Sequence, residues 1–398
     1  MPCAIAERGS EPVSCIFFFS IPAHGHVNPP LPLVRELTAR GHRVFYYETE
    51  EFRQKIEAAG AAFISVEPYM PPAPENIDRI AGKDFAALMQ MVAQTTLALD
   101  ERIAQDVAAL QPAVIIGDSV CFWGRLLAKK HGIPFICSTT TFAFNEYSSS
   151  QMKPRLPEMI RMILGMPRIE KSMQRLRDHG YAVSSFVDVI QNDPVTDTIV
   201  YTSRLFQPMA ETFGENYAFV GPSVMQRYPR SAHARPLVYI SLGTVLHNAP
   251  VFYRRCIQAL KEMDCDAIIS IGGKVDPASL GEIPENVQVF PRVNQLEVLA
   301  SADVFLTHCG MNSVSESLLG GVPMVLFPQH SEQAAVCSRA EELGAGLRLK
   351  RATAKEIRRA LEIVLADSRY KEAAQVIAEN FAACGGAKAA ADFVEARI

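Results

Sequence analysis

Five short segments of the chain collect the residue types that move protons or hold anions, and each directly follows a short apolar run. The first is Pro22-Ala23-His24-Gly25-His26-Val27-Asn28-Pro29, and the second is Gly117-Asp118-Ser119. Ser241-Leu242-Gly243-Thr244 opens the second half, followed by His308-Cys309-Gly310-Met311-Asn312-Ser313 with Glu316, and then Pro328-Gln329-His330-Ser331-Glu332-Gln333. Histidine titrates near pH 6.5, and a nearby carboxylate can fix its tautomer, so His24, His26 and Asp118 are candidates for proton transfer. Gly310 leaves the backbone open, and Asn312-Ser313 begin a helical pattern whose free N–H groups and positive dipole end suit a phosphate. His308 could donate a further hydrogen bond. Glu316 lies four residues after Asn312 on the same helix face, where a carboxylate would repel phosphate but accept the two hydroxyls of a ribose. Taken singly, these residues could be ordinary helix caps and solvated charges. Together, at the ends of buried strands, they point to a bound phosphate.

The elements that must position these segments follow from apolar periodicity. Residues 13–21, 43–47, 62–66, 113–116 and 135–137 are short, apolar and rich in β-branched or aromatic side chains, which predicts buried strands. Helical patterns lie between them, including a long one over 85–110, and Gly41, Gly60 and Gly132 stand where left-handed C-caps are wanted. The pattern weakens over 148–229, with helical pieces at 159–164 and 173–176 and strands at 198–201 and 218–220. It restarts with strands at 237–242, 267–271, 287–290, 304–307 and 324–327, separated by helices. This alternation predicts an α/β protein of two doubly wound Rossmann-like domains. Ligands of such sheets bind beyond the carboxyl ends of the strands, so the five segments predict two half-sites facing across a cleft. The expected divisions are 1–225, a Pro- and Arg-rich linker at 226–236, a second domain at 237–380, and a C-terminal helix at 381–398 that packs back on the first domain.

Composition narrows the class. The 398 residues suffice for two domains, and 48% apolar with 21% charged residues describes a globular chain. A net charge of −4 lacks the footprint of a nucleic-acid or anionic-membrane binder. Nine cysteines with no C-x-x-C pair argue against a disulfide framework or zinc cage. The apolar run at 13–21 is too short to span a bilayer and lacks a basic flank, so no stable membrane insertion and a cytoplasmic location are expected. Neither G-x-G-x-x-G nor G-x-x-x-x-G-K-[ST] occurs, and Asp264-Cys265-Asp266 precedes a strand, at the end away from the cleft.

The block from His308 through Asn312, Ser313 and Glu316 to Gly321-Val322-Pro323 and Glu332-Gln333, with the 19–29 segment, Gly41-His42-Arg43-Val44 and 241–244, resembles family 1 glycosyltransferases of the GT-B fold. The likeness is to the bacterial macrolide and natural-product enzymes that use nucleotide-activated sugars. It implies His26 as catalytic base and Asp118 as its partner, with His24 the competing histidine. Its implied donor contacts are Ser241, Gly243, Thr244, Arg292, Val293, Gln295, His308, Gly310, Asn312, Ser313 and Glu316 for the nucleotide, and Glu332 with Gln333 for sugar hydroxyls. An acceptor hydroxyl is a poor nucleophile at neutral pH, and a histidine oriented by a carboxylate meets that need. A helix N-terminus and neutral donors can meet the leaving diphosphate, so no metal or cofactor is expected, and the reaction implied is a single inverting displacement.

Two departures from the family pattern stand out. Many members carry W-x-P-Q where this chain has Arg292-Val293-Asn294-Gln295, and its one tryptophan, Trp123, lies in the other half. The Arg292 guanidinium can stack on a pyrimidine instead, which leaves UDP and dTDP both open. Glu332 replaces a frequent Asp, which changes reach rather than charge. Loops at 67–74 and 138–147, with Tyr69, Met70, Phe142 and Phe144 and nearby Met89 and Met91, predict an apolar surface for a bulky hydroxyl-bearing aglycone such as a macrolide, polyketide or flavonoid. A monomer or homodimer is expected. A non-catalytic activator or a nucleotide-sugar epimerase on the same fold remain alternatives, the first disfavoured because it would not need the full constellation.

Overall fold

The computed structural model describes residues 13–71, 84–149, 156–243, 250–273 and 275–398. Two parallel sheets form the frame. The first has seven strands in the order β3-β2-β1-β4-β5-β6-β7: Ala62–Ser65, Arg43–Glu48, Cys15–Phe19, Val114–Asp118, Phe135–Thr139, Asp197–Val200 and Tyr217–Phe219. The second has six, in the order β10-β9-β8-β11-β12-β13: Val287–Phe290, Asp266–Ser270, Leu237–Ser241, Val304–Thr307, Met324–Leu326 and Gly346–Arg348. β1 and β8 are wholly buried, as parallel strands covered on both faces must be. Each sheet separates two cores: Phe17, Phe19 and Trp123 lie on one side of the first and Ile16, Phe18 and Val34 on the other. In the second sheet, Ile240 and Leu306 face one core and Tyr239 and Phe305 the other.

Strand order reverses between β1 and β4 and again between β8 and β11, which makes each place a switch point where a crevice opens. Asp266 opens β9 at the far end of the sheet and pairs with Arg235, as a strand-start position would.

Residues 156–178 are one helix, Leu156–Asp178, where the sequence suggested two pieces. Gly165 and Pro167 break the apolar pattern without ending the helix. The expected division at 380/381 falls inside the Ser368–Ala383 helix, which packs on Met311–Leu319. The chain leaves the second sheet after that helix, at Cys384-Gly385, and the Gly386–Glu395 helix lies against Leu31–Ala39. There Ala390, Ala391 and Val394 are buried, while Arg40 bridges Asp392 and Glu395 at 2.6 Å each. Outgoing and returning chains touch where Gly386 N donates to Val220 O (2.9 Å). Among the described residues no helix is long and apolar enough to cross a membrane.

Candidate active site

His26 sits in the short His24–Val27 helix just past β1, and Asp118 ends β4. Phe19 pairs with Gly117 in adjacent strands, so residues 92 positions apart in sequence are brought into contact: His26 Nδ1 lies 2.9 Å from Asp118 Oδ2. The buried carboxylate can only accept, so Nδ1 carries the proton and Nε2 keeps its lone pair. Asp118 is itself held, because Oδ1 accepts from Val120 N at 3.0 Å. Thr140, just beyond β5, was not foreseen. Its hydroxyl is 3.3 Å from Asp118 Oδ2, to which it donates, and 3.0 Å from His26 Nδ1. Its position at a strand's carboxyl end was the available signal.

Burial disfavours the His26 imidazolium, but the Asp118 charge and hydrogen bond, with Glu332 and Glu48, outweigh it and raise its pKa above the ordinary value. His24 points elsewhere: Nε2 is 3.3 Å from Glu51 and the ring meets Phe52 edge-on. Burial and the neighbouring Lys55 lower its pKa. Glu48, at the end of β2, is fully buried. Oε2 accepts from Thr49 N (2.5 Å), Oε1 finds no partner, and burial raises its carboxyl pKa to about 8.

The facing half-site is built from β8 and β11. Gly243 and Gly310 are glycines because His308 lies against both. A Cβ on Gly243 would sit 2.5 Å from the ring and one on Gly310 2.7 Å, and Gly243 also has φ +72. His308 is buried, its Nδ1 has no partner, and burial and His330 lower its pKa to about 4, so the ring is a neutral hydrogen-bonding group. Ser241 Oγ accepts from Gly243 N at 3.2 Å. No side chain caps the Met311–Leu319 helix, contrary to a merely structural reading of Asn312 and Ser313. Asn312 Nδ2 instead donates to Gly25 O (3.1 Å), tying the two half-sites together. Gln295 is fixed by Tyr239, and its amide donates to Glu316 Oε2 (2.7 Å) and Ser313 Oγ (3.3 Å). Burial raises the Glu316 pKa.

Between the halves lies a cavity of about 500 Å³, whose lining includes Asn28, Lys55, Thr140, Val293, Gln295, Asn312 and Glu316. Glu332 is exposed and close enough to raise the His26 pKa, whereas Gln333 is buried with Oε1 committed to Gln329 N (2.9 Å). The structure thus brings Glu332 to the cleft and gives Gln333 the work of holding the 328–330 turn. Arg292 is exposed beside Gly273, and Thr244 lies outside the described residues.

On the acceptor side, Tyr69 and Met70 are half-buried and Phe144 is exposed. Phe142 corrects the expectation of an open apolar wall. It is buried against Phe206 (5.7 Å between rings), which meets Phe381 (5.9 Å), so it belongs to the seam joining the halves. Met89 is likewise core. Exposed apolar side chains on this half include Phe144 and Tyr147, and Ile160, Ile163 and Leu164 of the Leu156–Asp178 helix.

A family model described as UDP-glucoronosyl and UDP-glucosyl transferase matches residues 218–379. The chain is 35% identical to the NDP-glycosyltransferase YjiC of Bacillus licheniformis over 96% of its own length and 97% of that protein's. It is 31% identical to the demethyllactenocin mycarosyltransferase of Streptomyces fradiae, covering 98% and 87%. Among solved structures, CalG4, the calicheamicin glycosyltransferase, superposes with a TM-score of 0.80 at 30% identity, covering 97% and 98%. A glycotransferase of kitacinnamycin gives 0.83 at 29%, covering 97% and 99%. The site, the paired sheets and these similarities agree: the chain belongs to the family 1 glycosyltransferases of the GT-B fold, of the bacterial natural-product type, and is a nucleotide-sugar-dependent glycosyltransferase.

Proposed function

We propose that the enzyme transfers a sugar, with inversion, from a UDP- or dTDP-sugar to a hydroxyl of a bulky apolar natural-product aglycone, with His26 as general base. The observation that carries this reading is the 2.9 Å contact between His26 Nδ1 and Asp118 at the first switch point. That contact leaves Nε2 free to take the acceptor proton. The acceptor oxygen then bonds to the anomeric carbon as the bond from that carbon to the phosphate oxygen breaks, and the diphosphate leaves with the electron pair. Asp118 and Glu332 stabilise the imidazolium as it forms.

The uncapped Met311–Leu319 helix, Ser313 and the neutral His308 ring face the place where the diphosphate charge would grow. Glu316, oriented by Gln295, would take the ribose hydroxyls, and Arg292 the base. These groups need no metal. Relatives named as a demethyllactenocin mycarosyltransferase and the calicheamicin glycosyltransferase, and the exposed apolar side chains of Phe144, Ile160, Ile163 and Leu164, support the aglycone class.

The test is product formation from UDP- and dTDP-sugars with pooled aglycones in chelator-treated buffer. His26→Ala should lower kcat/KM by about 10²–10⁴ while still binding the nucleotide. Transfer by that variant at the wild-type rate would remove His26 as the base.

A further inference from the structure

Lys55 is a basic residue of the first half that lines the cavity between the domains, and it does so beside Gln295, Asn312 and Glu316 of the second. It projects from the Arg53–Ala58 helix. Its ammonium is oriented by a neutral partner, Asn28 Oδ1, at 3.0 Å, and Asn28 itself follows the His24–Val27 helix. Glu51, the nearest carboxylate influence on Lys55, is committed to His24 at 3.3 Å. Partial burial holds the Lys55 pKa below its ordinary value, and the Arg292 charge adds to the lowering while Glu51 opposes it; His24 also feels both Lys55 and Arg292. The Lys55 ammonium is thus held by a neutral amide oxygen and forms no ion pair among the described residues, in a cleft whose facing wall carries Asn312 at the start of the Met311–Leu319 helix. An anion entering that cleft would meet the ammonium on one wall and the free N–H groups of the helix N-terminus on the other.

We propose that Lys55 is a donor-binding residue, the first half's cationic contact to the nucleoside diphosphate, holding the donor's anionic charge against the N-terminus of the Met311–Leu319 helix. The inference rests on the donor reading above and extends it, because the groups assigned there to the diphosphate lie in the second half.

Calorimetric titration of the whole chain with UDP and dTDP, their monophosphates and their nucleosides tests the assignment without any turnover. Lys55→Ala should weaken the diphosphate about tenfold and the nucleoside less than about twofold, and should flatten the salt dependence of diphosphate binding. Lys55→Arg should restore most of the affinity. Diphosphate affinity of Lys55→Ala within about twofold of wild type, or an equal loss for the nucleoside, overturns the proposal. His26→Ala serves as the counterpart, since it should bind the diphosphate normally yet fail in transfer. Unimpaired transfer there sinks the proposed base and leaves Lys55 standing.

Discussion

Burial alone would keep His26 neutral to well below pH 6.5, yet three carboxyl groups reverse the direction and leave its pKa raised. A base must be neutral to accept a proton, so kcat/KM should fall as pH drops through that raised value. Asp118→Asn removes the largest opposing influence, and the acid limb of its pH–rate profile should move to lower pH while the maximal rate drops about 10²–10⁴-fold. A limb that stays in place would mean that Asp118 does not act on His26. Glu48 provides a second titration. Its carboxyl ionises from about 4.5 when unfolded but only near 8 in the native state, so the native chain binds the extra proton between those values and loses stability as pH rises across them. Glu48→Gln should therefore be more stable than wild type at pH 9, by on the order of a few kcal/mol, and match it below pH 4.5, as read by unfolding at the two pH values. Equal melting at both pH values would refute the shift. At this scale the sequence showed the pair but not its orientation. His26 and Asp118 could be matched to strand ends, whereas choosing between His24 and His26 by physics required seeing the His24 ring turned to Glu51 and Phe52. Thr140 and Phe142, two residues apart, lie on a stretch where the one reaches the catalytic pair and the other the seam, a difference that no spacing rule reveals.

Strand-to-helix turns make the second half-site, and their shape is dictated by one ring. His308 occupies the space that side chains at 243 and 310 would fill. Gly243→Ala combines a left-handed backbone with a Cβ driven into that ring, at a cost of about 1–2 kcal/mol for the conformation before any displacement. We expect a lower melting temperature and at least about tenfold weaker nucleotide binding, read by thermal scan and titration. Retained affinity would show that the turn takes no part in holding the donor. Elements were the most legible level of the sequence. Parallel strands buried on both faces read as continuous apolar runs, so all five strands marked at the start of each half recur in the sheets. In the weaker 148–229 stretch Gly165 and Pro167 interrupt the period, so the sequence marked 159–164 and 173–176 as separate pieces of what is one Leu156–Asp178 helix.

The whole molecule is joined along three lines: the Phe142–Phe206–Phe381 seam, the Asn312–Gly25 hydrogen bond across the cleft, and two chain crossings. One crossing is the irregular stretch between β7 and β8, and the other is the return through Cys384-Gly385. The pattern of the sequence announced two similar halves, but the point of return lay hidden, because a helix that changes partners keeps its period throughout. Its consequence is topological. The second half is an insertion within the first, fastened at both ends like a bead on a closed loop rather than hung from a tether. A protease cut in 226–236 should therefore give two bands under denaturing conditions and a single species on gel filtration, whereas separation of the fragments without denaturant would show that the return contacts are weak. Two anchored strands also confine the halves to swinging about the line between them, so the arc of a door, not the reach of a leash, sets how widely the cleft can open.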